Sequence, residues 1–311
     1  MDGRRAKRKK GDEPTTGDFY LIAKEVQNRS GKSPGSFTTE DRQFRDFFGI
    51  PAEVALAAWN LMVETGLLPA EGQILHFLWA LHFMKEYPKQ STGSATAGGS
   101  GGAKDPKTWR KYLWPFVYAL SGLEYHVVSF NMFSLLLYFQ PSLLTPRFIF
   151  TAKIDFGNRK FHHTGNDCLL SVDCTDFRIP NRYGRAFASF KYKGKSALRY
   201  EIALDIEKGD ISWINGGYPA GKWTDIEIFR EGLMLWLDTH ERVEADDGYI
   251  GEARMYVKCP ASFPNPPEKE EMQSRVRARQ ETINKRFKQW EILKQVYRHD
   301  IMPQGMFSEQ L

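Results

Sequence analysis

The sequence predicts a two-part chain, an all-helical, helix-turn-helix-like front half followed by an α/β rear half built on a mixed sheet. Three observations predict it. From about residue 18 to residue 125, apolar residues recur at mixed three- and four-residue spacing, the period of a helix with one buried face. Beyond Thr145 the texture changes to short apolar or strictly alternating runs, which is the period of strands. Helix signals then return between and after those runs. With 311 residues and 41% hydrophobic content, the chain is long enough to bury a core in each part.

In the front half, residues 53–67 and 73–85 read as helices joined by a turn at Pro69 and Gly72. Residues 91–103 (Ser-Thr-Gly-Ser-Ala-Thr-Ala-Gly-Gly-Ser-Gly-Gly-Ala) read as a flexible Gly/Ser-rich linker. Asp105 is placed to cap a helix whose first residue is Pro106, and Pro115 should kink or shorten it. That helix shows Lys104, Lys107, Arg110 and Lys111 at its start. Such a face suits DNA, although a solvated face has the same composition.

In the rear half, residues 168–172 form a near-continuous apolar run, the mark of a strand buried on both faces. Residues 196–206 alternate, with Leu198, Tyr200, Ile202, Leu204 and Ile206 on one face. Residues 210–214 give a third strand after the Lys208-Gly209 turn. Thr224 and Glu227 form a capping box that opens a helix. Residues 243–246 and 255–258 read as two more short strands, and residues 268–297 as one long helix. Three strands, a helix, two strands and a final helix is the element order of an RNase H-like fold. Residues 1–17 form a polar, basic tail expected to be disordered, 18–145 the helical region, and 146–311 the sheet domain.

Charge and cysteines bound the function. The net charge of +5 is modest, but it is clustered. Segment 4–10 reads Arg-Arg-Ala-Lys-Arg-Lys-Lys and predicts a nuclear protein; residues 275–298 hold a second basic concentration. Cys168, Cys174 and Cys259 are odd in number and lack C-x-x-C spacing, so neither a disulfide framework nor a zinc site is expected. With no N-terminal apolar segment and no apolar run of spanning length, the sequence predicts a soluble intracellular chain without membrane contact.

Three acids stand in chemically suggestive settings. Asp173 follows the apolar run 168–172, where a lone carboxylate is costly unless paired or metal-bound. Asp246 precedes Asp247-Gly248-Tyr249 at the end of a later strand, and sequence leaves open whether Asp246 or Asp247 points to the site. Glu281 lies on the last helix between Arg277 and Lys288. At about 100° per residue these three fall within roughly 40° of one another. Met272, Val276, Ile283, Phe287 and Trp290 form the apolar stripe beside them. Three convergent carboxylates suit a pair of Mg2+ or Mn2+ ions, one activating an attacking oxygen and one steadying the leaving oxygen. Read singly, each acid is an ordinary turn, cap or surface residue, and Arg277 with Glu281 an i,i+4 ion pair. A rival metal site of His162, His163 and the cysteines is disfavoured because adjacent residues of an extended chain point apart.

These residues resemble the DDE-type transposases of the PIF/Harbinger group and the related bacterial insertion-sequence transposases. The family's first acid motif, Asp-Gly-Thr-His, is similar to Asp173-Cys174-Thr175-Asp176. Its Asp-x-Gly-Tyr is matched by Asp246-Asp247-Gly248-Tyr249, and its Arg, Glu and Lys spacing by Arg277, Glu281 and Lys288. Gly221 and Asp225 are similar to a further family segment. Cys174, Asp176 and the inserted Ala220 depart from the pattern. The resemblance implies a DDE endonuclease that cuts and joins double-stranded DNA at transposon ends. Asp173, Asp246 and Glu281 would hold two Mg2+ (or Mn2+), and Arg277 and Lys288 would contact phosphate. Asp225 and Asp247 are accessory candidates. It also implies a Myb-like accessory DNA-binding protein as partner, and self-assembly as a further expectation. A domesticated, non-cutting descendant and a repair or RNA-processing nuclease on the same fold are the alternatives.

Overall fold

A computed structural model describes residues 13–29, 36–136, 168–206, 209–237, 241–253, 255–262 and 267–299. The chain divides into two compact units, Met1–Val127 and Val128–Leu311. The expected boundary at 145/146, the basic segment 4–10, and His162 with His163 lie outside the described residues.

The first unit is all-helical. Its elements are α1 (Thr16–Val26), α2 (Phe37–Phe48), α3 (Ala52–Glu64), α4 (Ile74–Glu86), α5 (Gln90–Ala97) and the start of α6 (Pro106–Leu136). α1 begins two residues inside the tail expected to be disordered, where Asp18 accepts a hydrogen bond from the Thr15 backbone at 2.8 Å. α2 stops at Gly49, whose φ of 88° favours glycine. α4 is buried on almost every side through residues 76–83, which makes it the centre of this unit. Its Phe77 packs in a cluster with Phe19, Trp59 and Phe116, ring centroids 5.6 to 6.4 Å apart.

One expectation for this unit is corrected and another is narrowed. Residues 91–103 are not simply a flexible linker, because α5 occupies most of the stretch and buries Gly93, Ser94 and Ala97. Its small residues permit close packing; a Cβ at Gly93 would lie 2.5 Å from the Trp109 ring. Pro115 does not end α6, which continues through it. The expected cap is present, with Asp105 accepting from the Thr108 backbone at 2.9 Å. Among the described residues no single helix is long and apolar enough to cross a membrane.

The second unit is a five-stranded mixed sheet flanked by helices. β1 (Cys168–Arg178), β2 (Ala197–Asp205) and β3 (Ile211–Pro219) form an antiparallel meander. β4 (Arg242–Glu244) lies parallel to β1 on its other side, and β5 (Val257–Lys258) parallel to β4. The order is therefore β3-β2-β1-β4-β5, with β1 in the middle. One face carries α7 (Asp225–Glu231), opened by the expected Thr224/Glu227 capping box. Against it pack Leu170, Val172, Val243, Tyr249 and Val257.

The other face carries α8 (Pro267–Phe287), which ends ten residues earlier than the sequence predicts. A short α9 (Glu291–Lys294) follows, and the chain then returns to β1, where the Tyr297 backbone donates to the Arg178 carbonyl at 2.9 Å. β1 also departs from expectation. It runs on to Arg178, so Asp173 sits in mid-strand opposite Ile202 rather than at a strand end.

Phe229 on α7 is fully buried and meets the Tyr249 ring edge-on at 5.7 Å. Phe229→Ala should cost about 3–5 kcal/mol of stability in urea unfolding. A loss below about 1 kcal/mol would contradict this packing.

Candidate functional site

The site grows from how α8 lies across β1. Alternate β1 residues face α8, and two residues of strand advance about as far as four of helix. The pairs therefore keep step along the seam. Ser171 donates to Gln280 at 3.0 Å, Asp173 accepts from Asn284 at 2.7 Å, and Phe177 meets the Phe287 ring at 6.4 Å. Gln280 also donates to the Ile202 carbonyl of β2 at 2.8 Å, which fixes the helix across two strands.

Asp173 is the acid that this packing desolvates. Burial pushes its carboxyl up to about 6, opposed by Lys191 and reinforced by the negative charges of Asp246 and Asp225. Asp246 and Asp225 thus converge electrostatically on Asp173 from β4's end and from the start of α7. Asp246 caps the turn after β4, accepting from the Gly248 backbone at 2.9 Å. Asp247 is tied elsewhere, accepting from the Ala261 backbone at 2.9 Å. Of the two, Asp246 is the one whose charge acts on Asp173.

Asp225 is held on the opposite side of β1. Arg199 donates to Asp225 at 2.7 Å and forks onto both oxygens of Asp176 at 2.8 and 3.2 Å. Burial still raises the Asp225 carboxyl above its ordinary value, with Arg199 pulling the other way. Beneath this cluster, Glu201 is fully buried and pushed up to about 8 by desolvation, with Trp213 donating to it at 2.9 Å.

The last helix contributes differently from expectation. Its inward line is Gln273, Val276, Gln280 and Asn284. Glu281, one step round from Gln280, projects to solvent and pairs with Lys285 at 3.5 Å; its side chain is 69% exposed. The structure therefore does not bring Glu281 to Asp173 and Asp246. Arg277 is half-buried beside it. Burial and Lys191 lower the pKa of Lys288, which lies within electrostatic reach of Asp176 and Asp173, and these raise it. In the first unit Lys107, Arg110 and Lys111 are exposed, and Lys111 lies 3.5 Å from Glu71.

Asn284, Lys191 and Arg199 were not singled out from sequence. Asn284 was legible only as the i+4 neighbour of Gln280, once the inward line of α8 is known. Lys191 sits in a basic, aromatic stretch that had a visible signal.

Divalent ions of the kind expected take oxygen ligands, one or two of them carboxylates. Asp173 and Asp246 match that chemistry. Asn284 adds an orphan: its Nδ2 is spent on Asp173, while its Oδ1 is buried without a partner. Among the described residues, no three His, Cys, Asp or Glu side chains lie together as a metal-holding group. Asp173 and Asp246 are carboxylates of the type such ions take, and Glu281 stands apart from them, paired with Lys285.

Asp173 gives a pH test. Its folded-state value of about 6 lies above an unfolded value near 4, so its contribution to stability is full below pH 4 and lost as pH rises through 6. Between those limits the native chain should lose about 2 kcal/mol relative to Asp173→Asn, which stays neutral throughout. Urea unfolding of both chains across that range reads the difference, and parallel pH profiles would contradict the burial of this acid.

No protein-family model matches this chain, and no curated protein matches it either.

Proposed function

We propose that this chain is a metal-dependent DNA endonuclease of the DDE type, with an RNase H-like second unit that cuts and joins phosphodiesters. One observation carries the reading. The central strand of a β3-β2-β1-β4-β5 sheet bears a desolvated Asp173, and Asp246, two residues past the end of the adjacent parallel strand, acts on it electrostatically. Two acids within electrostatic reach of each other at such a strand pair would suit a shared cation.

In this reading Asp173 and Asp246 are the protein's first ligands for Mg2+ or Mn2+, and Asn284 holds the Asp173 carboxylate in position. Bound divalent cations would activate the attacking oxygen and neutralise charge on the leaving one. Lys191 and Lys288 supply positive charge for the scissile phosphate. Glu281 completes the set for a second ion by turning away from Lys285. That pair is exposed, so breaking it costs at most about 1 kcal/mol. Glu281 also lies three residues from Asn284, a spacing that puts side chains about 5–6 Å apart on a helix.

Double-stranded DNA is the proposed substrate, in the nucleus, with transposon ends as targets. The first unit would present Lys107, Arg110 and Lys111 on α6 to DNA backbone. α4 is too deeply buried to serve as a reading helix in a helix-turn-helix. A Myb-like partner for end recognition, and self-assembly, belong to the same reading.

The outward pairing of Glu281 favours one rival, an adopted DNA-binding descendant that no longer cuts. Nicking of duplex DNA in Mg2+ or Mn2+ separates the two, using duplexes that carry the terminal repeats flanking the gene. We expect metal-dependent nicking that Asp173→Ala abolishes. Glu281→Gln should lose nicking with DNA binding intact. DNA binding without nicking by the folded parent chain would establish the rival instead.

A further inference from the structure

Between β1 and β2 the chain makes a long excursion that the acid site alone does not explain. Residues 178–195 contain six Lys or Arg and no Asp or Glu, interleaved with Tyr183, Phe187, Phe190 and Tyr192. The excursion is built, not slack. Its end is a tight hairpin, closed by Ser189 N–H to the Lys195 carbonyl at 3.0 Å and Gly194 N–H to the Ser189 carbonyl at 2.8 Å. Lys193 and Gly194 turn through positive φ of 53° and 78°.

Polar bonds fasten this hairpin to the site strand. Ser189 donates to the Asp176 carboxylate, and the Tyr192 hydroxyl donates to the Asp176 carbonyl at 3.1 Å. The Arg178 guanidinium lies 5.7 Å from the Tyr192 ring centre. At the tip, Phe190 is 96% exposed. Lys191, Lys193 and Lys195 are exposed around it, and Lys191 lies near enough to Asp173 to act on its charge. A single exposed aromatic is ordinary on a protein surface. An aromatic held out on a rigid tip, ringed by three lysines and fastened three residues from Asp173, has the composition of a platform for a nucleic-acid strand.

We propose that residues 189–195 grip an unpaired DNA strand beside the acid pair. Phe190 stacks on one unstacked base, and Lys191, Lys193 and Lys195 meet the phosphates. This deepens the nuclease reading and rests on it for the identity of the strand. The excess of positive charge without a single acid selects a polyanion over a protein partner, and the bare ring selects exposed bases over a paired duplex.

The test is binding by the full chain in chelator, where no cutting occurs, so that its outcome is independent of nicking. The probes are a labelled single-stranded oligonucleotide, a blunt duplex of the same sequence, and a strand carrying 2-aminopurine. Phe190→Ala should weaken single-strand binding about 5- to 100-fold, the range one base–aromatic stack gives, and leave blunt-duplex binding unchanged. Phe190→Trp should retain binding, and 2-aminopurine fluorescence should respond to the parent but not to Phe190→Ala. Replacing Lys191, Lys193 and Lys195 together by Ala should reduce the salt slope by about 2. Equal single-strand affinities for the parent and Phe190→Ala would overturn the proposal, as would a parent chain that ignores single strands. A chain that grips single strands through Phe190 but never nicks would leave this inference standing and remove the nuclease reading.

Discussion

A carboxylate placed in the middle of a central strand is costly to keep charged, and the second unit is arranged around that cost at Asp173. The sheet order puts β1 between β2 and β4, so water reaches Asp173 poorly from either side. α8 supplies the compensation through amides: Asn284 donates to Asp173, and Gln280 bridges Ser171 and the β2 backbone. The result is a polar seam inside an otherwise apolar interface. Burial leaves the acid shifted upward, with Lys191 opposing the shift, and the Asn284 oxygen is buried without a hydrogen-bond partner.

The same strand separates two kinds of acid. Asp173 faces α8 and accepts from the Asn284 amide, whereas Asp176 faces the other way and is paired with the fork of Arg199. Asp225 shares that guanidinium. Arg199 thereby makes a structural tie between β1, β2 and the start of α7, and its burial raises the penalty for losing any member. Asp246 is different again, exposed at a turn and held by one backbone bond. Division of labour among the acids follows from these surroundings more than from their motifs.

Much of this was legible in sequence because the signals were local. The alternation of residues 196–206, the Thr224/Glu227 box and the Asp105 cap each specify their own element with little help from distant residues. The settings of Asp173 and Asp246 were legible for the same reason, one on a strand with an apolar run and one capping the turn before Gly248-Tyr249. The failures were tertiary. Residues 91–103 look like linker by composition, but small residues also let α5 lie against Trp109. Glu281 looked inward because the apolar stripe was centred on Ile283 and Phe287. The amides Gln280 and Asn284 define the buried line instead, and no hydrophobic count weights an amide as inward-facing.

The central claim is that Asp173 and Asp246 are cation ligands. The most direct test is a crystal structure grown with millimolar Mn2+, read by anomalous scattering. The account predicts a manganese peak bridging the Asp173 and Asp246 carboxylates, with Glu281 turned from Lys285 toward it. An ordered site with no peak there, and with the Asp173–Asn284 hydrogen bond undisturbed, would contradict it.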